Sequence, residues 1–276
     1  MKKNHIGALQ VALAAISWSF AGVFSKACPW HPVTLNGMRT LIAALLLGLV
    51  RGTMKVKLTR GNLLGAMGVA LTNVLFMAAT KLTTSANAIV LQYAMPAFVI
   101  LFNWLFFRQR PSRFSLIVCA VIMLGVVLCS WGGLSRGNPV GDMLAILAGV
   151  AFALVFFCAR MPGANSTDYS YLGMLFCAPT ALYALVDKNM TLEPLHWLTV
   201  LGLGLCLAGG YFFISLAMGK VSPVSAALLA NLEPILNPVW VFLFVGEVPS
   251  PLTILGAAVV ITAVTVYSIR GSGAQG

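Results

Sequence analysis

Of the six acidic residues in this 276-residue chain, only Glu233 falls near the middle of a long apolar run; Asp142, Asp168, Asp187, Glu193 and Glu247 sit at run ends or in loops. An ionised group in the centre of a bilayer costs roughly 2.5–3.5 kcal/mol, so such a group faces a cavity or a partner rather than lipid. Two chemistries are open to a carboxyl there: holding a cationic or amino group, or taking up and releasing a proton. Glu233, Asn237 and Trp240 are spaced i, i+4, i+7 and share one helical face. Pro234 and Pro238 lack the N–H groups that would reach the carbonyls of Ala230 and Pro234, so the helix is expected to break beside the carboxyl. The plainer alternative, a protonated carboxyl that only hydrogen-bonds between helices, stays open at this point.

The chain that must position Glu233 is 60% apolar and 8% charged, with a mean hydropathy of +0.95. A soluble domain carries about 25% charged residues. This composition disfavours a soluble enzyme, a nucleic-acid-binding domain and a disordered regulator, and points to a polytopic membrane protein. Apolar runs occur at 6–25, 33–50, 63–80, 86–107, 114–131, 142–159, 169–186, 197–217, 223–245 and 252–269. Each is long enough to span a core of about 30 Å as a helix, in some cases with tilt. The predicted fold is therefore all-α with ten transmembrane helices, the first of them retained rather than cleaved as a signal. The six cysteines include no CxxC pair and read as small buried hydrophobes.

The net charge of +11 sorts by loop. Twelve Lys and Arg fall on the side of the N-terminus (Lys2, Lys3, Arg51, Lys55, Lys57, Arg60, Arg108, Arg110, Arg113, Arg160, Lys220, Arg270), against Lys26, Lys81, Arg136 and Lys188 on the other. The positive-inside rule then places both termini in the cytoplasm of a bacterial-type inner membrane. The charge is a topology signal with a weak pull on anionic lipid, and no nucleic-acid partner is needed to explain it. The seventeenth basic residue, Arg39, lies inside the second span. It can snorkel outward, pair with Glu233 or hold a substrate carboxylate; snorkelling or a structural pair is the simpler expectation.

A shift of 138 residues lays 85–116 over 223–254 and matches Pro96 with Pro234, Phe106 with Phe244, and Pro111-Ser112 with Pro249-Ser250. Ala88, Leu91 and Leu105 also meet identical residues. Five spans per half is an odd number, so the second copy must enter the membrane inverted, which divides the chain at 1–137 and 138–276. The basic loop RQRPSR then corresponds to GEVPSP, which carries no positive charge. Glu233 aligns with Met95, and Ala230-Asn231 with Gln92-Tyr93, so the scaffold is expected to be symmetric and its chemistry asymmetric. Gln92, Pro96 and Asn103 give the fourth span its own polar stripe beside a proline.

Both halves carry an Ala-rich helix start, a mid-helix proline and a short turn, SANAIVLQYAMP…LFFRQRPS and SPVSAALLANLEP…LFVGEVPS. With Ser17-Trp18-Ser19-Phe20 in the first span and Arg39 early in the second, the chain resembles the EamA-type members of the drug/metabolite transporter superfamily. One departure is Gln109 in the turn after the fourth span, where the second copy keeps Glu247. The resemblance implies alternating-access transport of small metabolites, commonly export of amino acids or related compounds. It also implies a central cavity to which Trp18, Asn73 and Tyr211 contribute, beside Glu233, Asn237, Trp240, Asn231, Gln92 and Tyr93. Glu233 and Arg39 are the expected coupling groups, with proton coupling as one option.

HExxH and GxSxG patterns are absent, and His5, His31 and His196 fall at span edges, so no catalytic residue, metal site or cofactor is expected. The expected partners are a small-molecule substrate and the lipid bilayer, with monomer and homodimer both open. The competing readings are a proton-coupled importer using the same cavity and, from another class, an intramembrane lipid-modifying enzyme.

Overall fold

Apolar segments must satisfy their backbone groups internally, and in the computed structural model they do so as helices. The model describes residues 2–53, 55–83, 85–131, 138–245 and 250–271. The first half contains α1 (Lys2–Ser19), α2 (Ala21–Lys26), α3 (Pro32–Arg51), α4 (Arg60–Leu82), α5 (Ser85–Gln92), α6 (Met95–Phe107) and α7 (Arg113–Ser130). The second contains α8 (Pro139–Cys158), α9 (Ser166–Cys177), a 3-10 helix (Ala178–Leu185), α10 (Pro194–Ala217), α11 (Pro223–Ala230), α12 (Glu233–Val245) and α13 (Pro251–Gly271). Among the described residues the only non-helical pairing is a single bridge between Met218 and Val221. Among the described residues the protein is all-α, and five stretches are individually long and apolar enough to cross a membrane: Pro32–Arg51, Arg60–Thr80, Ala88–Phe107, Pro139–Cys158 and Pro194–Ala217.

Turn chemistry sets several helix starts. Thr59, Ser112, Asn138, Asn165 and Ser222 each accept a backbone N–H from the first turn that follows, worth about 1 kcal/mol per cap. The cap of α7 recurs 138 residues on: Ser112 Oγ accepts from Ser115 N at 3.0 Å, and Ser250 Oγ accepts from Thr253 N at 3.2 Å.

Two predicted spans are divided at their prolines, and the two divisions coincide under the same shift. α5 and α6 part at Tyr93-Ala94, α11 and α12 at Asn231-Leu232, and the bounds of each pair differ by 138 throughout. Pro96 and Pro234 open the second half-helices, where a missing N–H costs nothing because first-turn donors are unbonded anyway. At Pro238 the helix does not break, since α12 runs on through that position to Val245. The first span, expected to be continuous, instead breaks after Ser19, whose hydroxyl donates to the Ile16 carbonyl at 2.7 Å and competes with the helical ladder. The seventh span tightens into the 3-10 helix at Pro179, where Thr180 Oγ1 donates to the Cys177 carbonyl at 2.8 Å.

The helix pairs also exchange between halves. α4 packs on α8, and its counterpart α10 on α1; α4 packs on α9, and α10 on α3; α5 and α6 pack on α8, and α11 and α12 on α1. α7 packs on its own counterpart, α13. Side-chain ties link the basic loops into one rim: Arg51 pairs with Asp168 at 2.8 Å, Thr59 donates to Gly163 O at 3.0 Å, and Lys220 donates to Gln10 at 2.7 Å. The opposite rim is tied by Asp187, which accepts from His31 N at 2.8 Å and Thr34 Oγ1 at 2.6 Å, and by a Thr83–Asp142 bond of 2.6 Å. Burial acts to raise the Asp187 pKa, but the hydrogen bonds from Thr34, Asn189 and His31 outweigh it and hold the carboxylate below its usual range.

Candidate functional site

Where the broken helices meet the long ones there is a cavity of about 110 Å³. Its polar walls are Trp18, Arg39, Asn73, Gln92, Tyr211 and Glu233. Ala21, Thr72, Phe76, Phe152, Leu203 and Leu207 supply the rest. Glu233 reaches the cavity because the break at Asn231-Leu232 makes it the first residue of α12, and Gln92 because it is the last residue of α5.

The polar groups are held differently. Arg39 Nη2 donates to Asn36 Oδ1 at 3.0 Å and to Asn73 Oδ1 at 3.0 Å, while its Nε reaches Asn36 Oδ1 at 3.3 Å. Asn73 is itself fixed by donating to the Val69 carbonyl at 2.9 Å and shares a hydrogen bond with Tyr211. The simpler expectation for Arg39, an outward snorkel, is thus corrected. Two buried asparagines offer acceptors that lipid lacks, so the guanidinium turns inward, and no hydrogen bond engages Nη1 among the described residues. Tyr93 is buried behind the cavity wall, with its hydroxyl as the hydrogen-bond partner of the Glu233 carboxyl. Trp18 stands edge-on to Tyr211 and Phe152, with ring centroids 5.3 and 5.7 Å away. Gln92 is buried, and among the described residues its Oε1 finds no partner. Such a group is costly unless something occupies the cavity.

Other expected site residues lie apart. Trp240 turns away from the cavity: its Nε1 donates to Ser19 Oγ at 2.8 Å and its ring stacks on Phe20 at 4.4 Å. Asn231 is buried and donates back to the Ala227 carbonyl of its own helix at 2.9 Å. The side chain of Asn237 lies outside the described residues, as do Glu247 and Arg136. Sequence reasoning missed Thr72, Phe76 and Phe152. Phe76 stands one turn from Asn73 on α4, and that spacing was the available signal. Among the described residues no group of three or more His, Cys, Asp or Glu side chains gathers to hold a metal.

A transport-family profile matches the chain twice, over residues 5–131 and again over 139–269. The chain belongs to the EamA-like transporter family. It is similar to the pseudopaline exporter of Pseudomonas aeruginosa, 26% identical over 271 residues that cover 93% of this chain and 94% of that one. It is also similar to the threonine/homoserine exporter of Escherichia coli, 27% identical over 198 residues, 69% of this chain and 65% of that one. A crystal structure with 18% identity superposes with a TM-score of 0.81 over 96% of this chain and 97% of the other, which shows the shared fold. Membership of the EamA-like family makes the protein a transporter rather than an enzyme, embedded in the membrane and acting on a small molecule. With bacterial exporters among its relatives, it is a multi-pass inner-membrane protein.

Proposed function

We propose that this EamA-like protein is an alternating-access secondary transporter that exports small amino acids or amines. Its ten spans form two inverted five-helix repeats, at 1–137 and 138–276. The observation that carries the reading is the joint presence of Glu233 and Arg39 on one cavity beside two equivalently broken helices. The exchange of helix pairs between halves supports the inverted repeat, since two such halves can rock around a midplane site. The gathering of the basic loops on one rim supports a cytoplasmic location for both termini. Two relatives that are exporters support the outward direction.

In this mechanism Glu233 receives the substrate amine, and the open edge of Arg39, steadied by Asn36 and Asn73, receives a carboxylate. Gln92 supplies a free amide to the same space. When the substrate leaves, a proton takes the place of the amine on Glu233, and the protonated carboxyl returns through the membrane without a buried charge. Each outward substrate is thereby exchanged for an inward proton.

The test is efflux from proteoliposomes loaded with radiolabelled threonine, homoserine or a simple amine under an imposed pH gradient. Wild type is expected to accelerate efflux when the trans side is acidic, and Glu233→Gln to lose that acceleration. Equal pH-gradient dependence in the two proteins would overturn the role of Glu233. Absence of flux for every amine and amino acid, with the protein folded, would overturn the substrate class.

A further inference from the structure

Outside the central cavity a groove of about 470 Å³ opens between α7 and α13. Its walls are apolar, formed by Phe114, Ile117 and Val121 on α7 and by Ala258, Ala263 and Val266 on α13. Thr262 also lines it, but spends its hydroxyl on the Ala258 carbonyl of its own helix at 2.7 Å. At one end the two helices are in tight contact, where a side chain at Gly125 would overlap Val260 and crowd the Gly256 carbonyl. At the other end the Phe114 ring is stacked on Tyr267 at 5.8 Å and covered by the Arg270 guanidinium at 5.6 Å. Arg113, the first residue of α7, is exposed beside it.

We infer that this groove binds an anionic glycerophospholipid, with one acyl chain lying between α7 and α13 and its headgroup phosphate held by Arg113 and Arg270. The dimensions suit one leaflet. Ala258 to Val266 rises about 12 Å along a helix, against roughly 15 Å for half of a 30 Å hydrocarbon core. The charge suits an anion, since the Phe114 end of the groove lies beside Arg113 and Arg270 and no acidic residue lies on α7 or α13. The site is distinct from the transport cavity, so it stands or falls separately from the proposed substrate.

Native mass spectrometry of the full-length protein, released from nanodiscs of phosphatidylglycerol or phosphatidylcholine, tests the site. Wild type is expected to retain one phosphatidylglycerol in preference to phosphatidylcholine. Arg113→Gln and Arg270→Gln should each weaken that preference roughly fivefold, the worth of one basic residue near an anionic headgroup. Ala258→Trp, at an exposed position on the groove wall, should remove retention of both lipids, and Val121→Trp should do the same from the facing helix. A phosphatidylglycerol preference that survives loss of both arginines would overturn the headgroup assignment. Unchanged lipid retention in both tryptophan variants would overturn the groove, as would a lipid-free dimer in which those variants dissociate the two copies.

Discussion

The junction of α5 with α6 and the junction of α11 with α12 share a backbone plan and differ in what they carry. Both replace the ordinary ladder with a shorter bond at the same place: Ala94 N reaches the Leu91 carbonyl at 3.3 Å, and Leu232 N the Leu229 carbonyl at 3.1 Å. Both resume with a proline in the first turn. At the first junction the next helix opens with Met95, which is fully buried in the core, and Gly149 of α8 approaches so closely that a side chain there would collide with the Gln92 carbonyl. At the second it opens with Glu233, in the cavity wall. The two junctions thus give two places where a helix bends, and Glu233 at the position equivalent to Met95 supplies the charge. One junction offers an unpartnered amide, Gln92, and the other a carboxyl backed by Tyr93 of the opposite junction.

The comparison breaks most sharply at the paired positions themselves. Glu233→Gln should lower amine or amino-acid flux roughly a hundredfold, the upper range for a lost hydrogen bond to a charged group. Met95→Leu, a volume-conserving change in the core, should leave flux within roughly tenfold, because such swaps cost under about 1.5 kcal/mol. Flux in proteoliposomes at matched protein content decides both. Next in size is Arg39→Gln, which should raise the KM for carboxylate-bearing substrates roughly tenfold and that for simple amines much less. Equal effects on the two substrate kinds would mean that Arg39 only braces Asn36 and Asn73.

Smaller effects come from the ends of the half-helices α6 and α12, which are anchored by different chemistry. On the basic rim Arg160 donates to Asn103 at 3.0 Å and Gln109 at 2.5 Å and lies over the Phe107 ring, pinning α6 to α8. α6 ends there on Arg108 in a left-handed conformation, φ 54°. Towards the other rim Trp240 pins α12 to the α1–α2 break through Ser19 and Phe20. Arg160→Gln should raise thiol labelling of an Asn73→Cys reporter from the basic side by a few fold. Trp240→Phe keeps the stacking and loses only the hydrogen bond, so it should raise labelling from the opposite side by less.

The smallest effect concerns the rim that carries Asp187. Its depressed pKa means that the carboxylate stabilises the fold above its unfolded-state pKa, with the contribution lost as pH falls through the lower folded-state value. Asp187→Asn should therefore lower thermal stability slightly at neutral pH and narrow the gap to wild type below about pH 4, the ordinary range of an aspartate. A gap that widens on acidification would reverse the sign.

Much of the fold was legible because lipid imposes few options: long apolar runs must be helical, and prolines in two of them mark where they part. The 138-residue offset was readable from loop dipeptides and prolines and recurs in the bounds of α5, α6, α11 and α12. The break after Ser19 was not readable, because it rests on one hydroxyl competing for its own helix, and serines do so without any sequence signature. Within the site, Glu233 and Gln92, which spacing singled out, both line the cavity. Spacing also put Trp240 on the face of Glu233, but i+7 lies two turns, about 10 Å, further along the helix, beyond the cavity and against Phe20. Arg39 was ambiguous in sequence, because its direction depends on Asn73 of another helix, a contact that helical periodicity does not encode.

If Glu233 exchanges a proton for the substrate amine, substrate binding must release protons. Calorimetry of purified protein with a transported amino acid, in buffers of different ionisation enthalpy, counts the protons released. Wild type is expected to release protons, and Glu233→Gln nearly none. Identical proton release from the two proteins, at comparable substrate occupancy, would contradict the exchange.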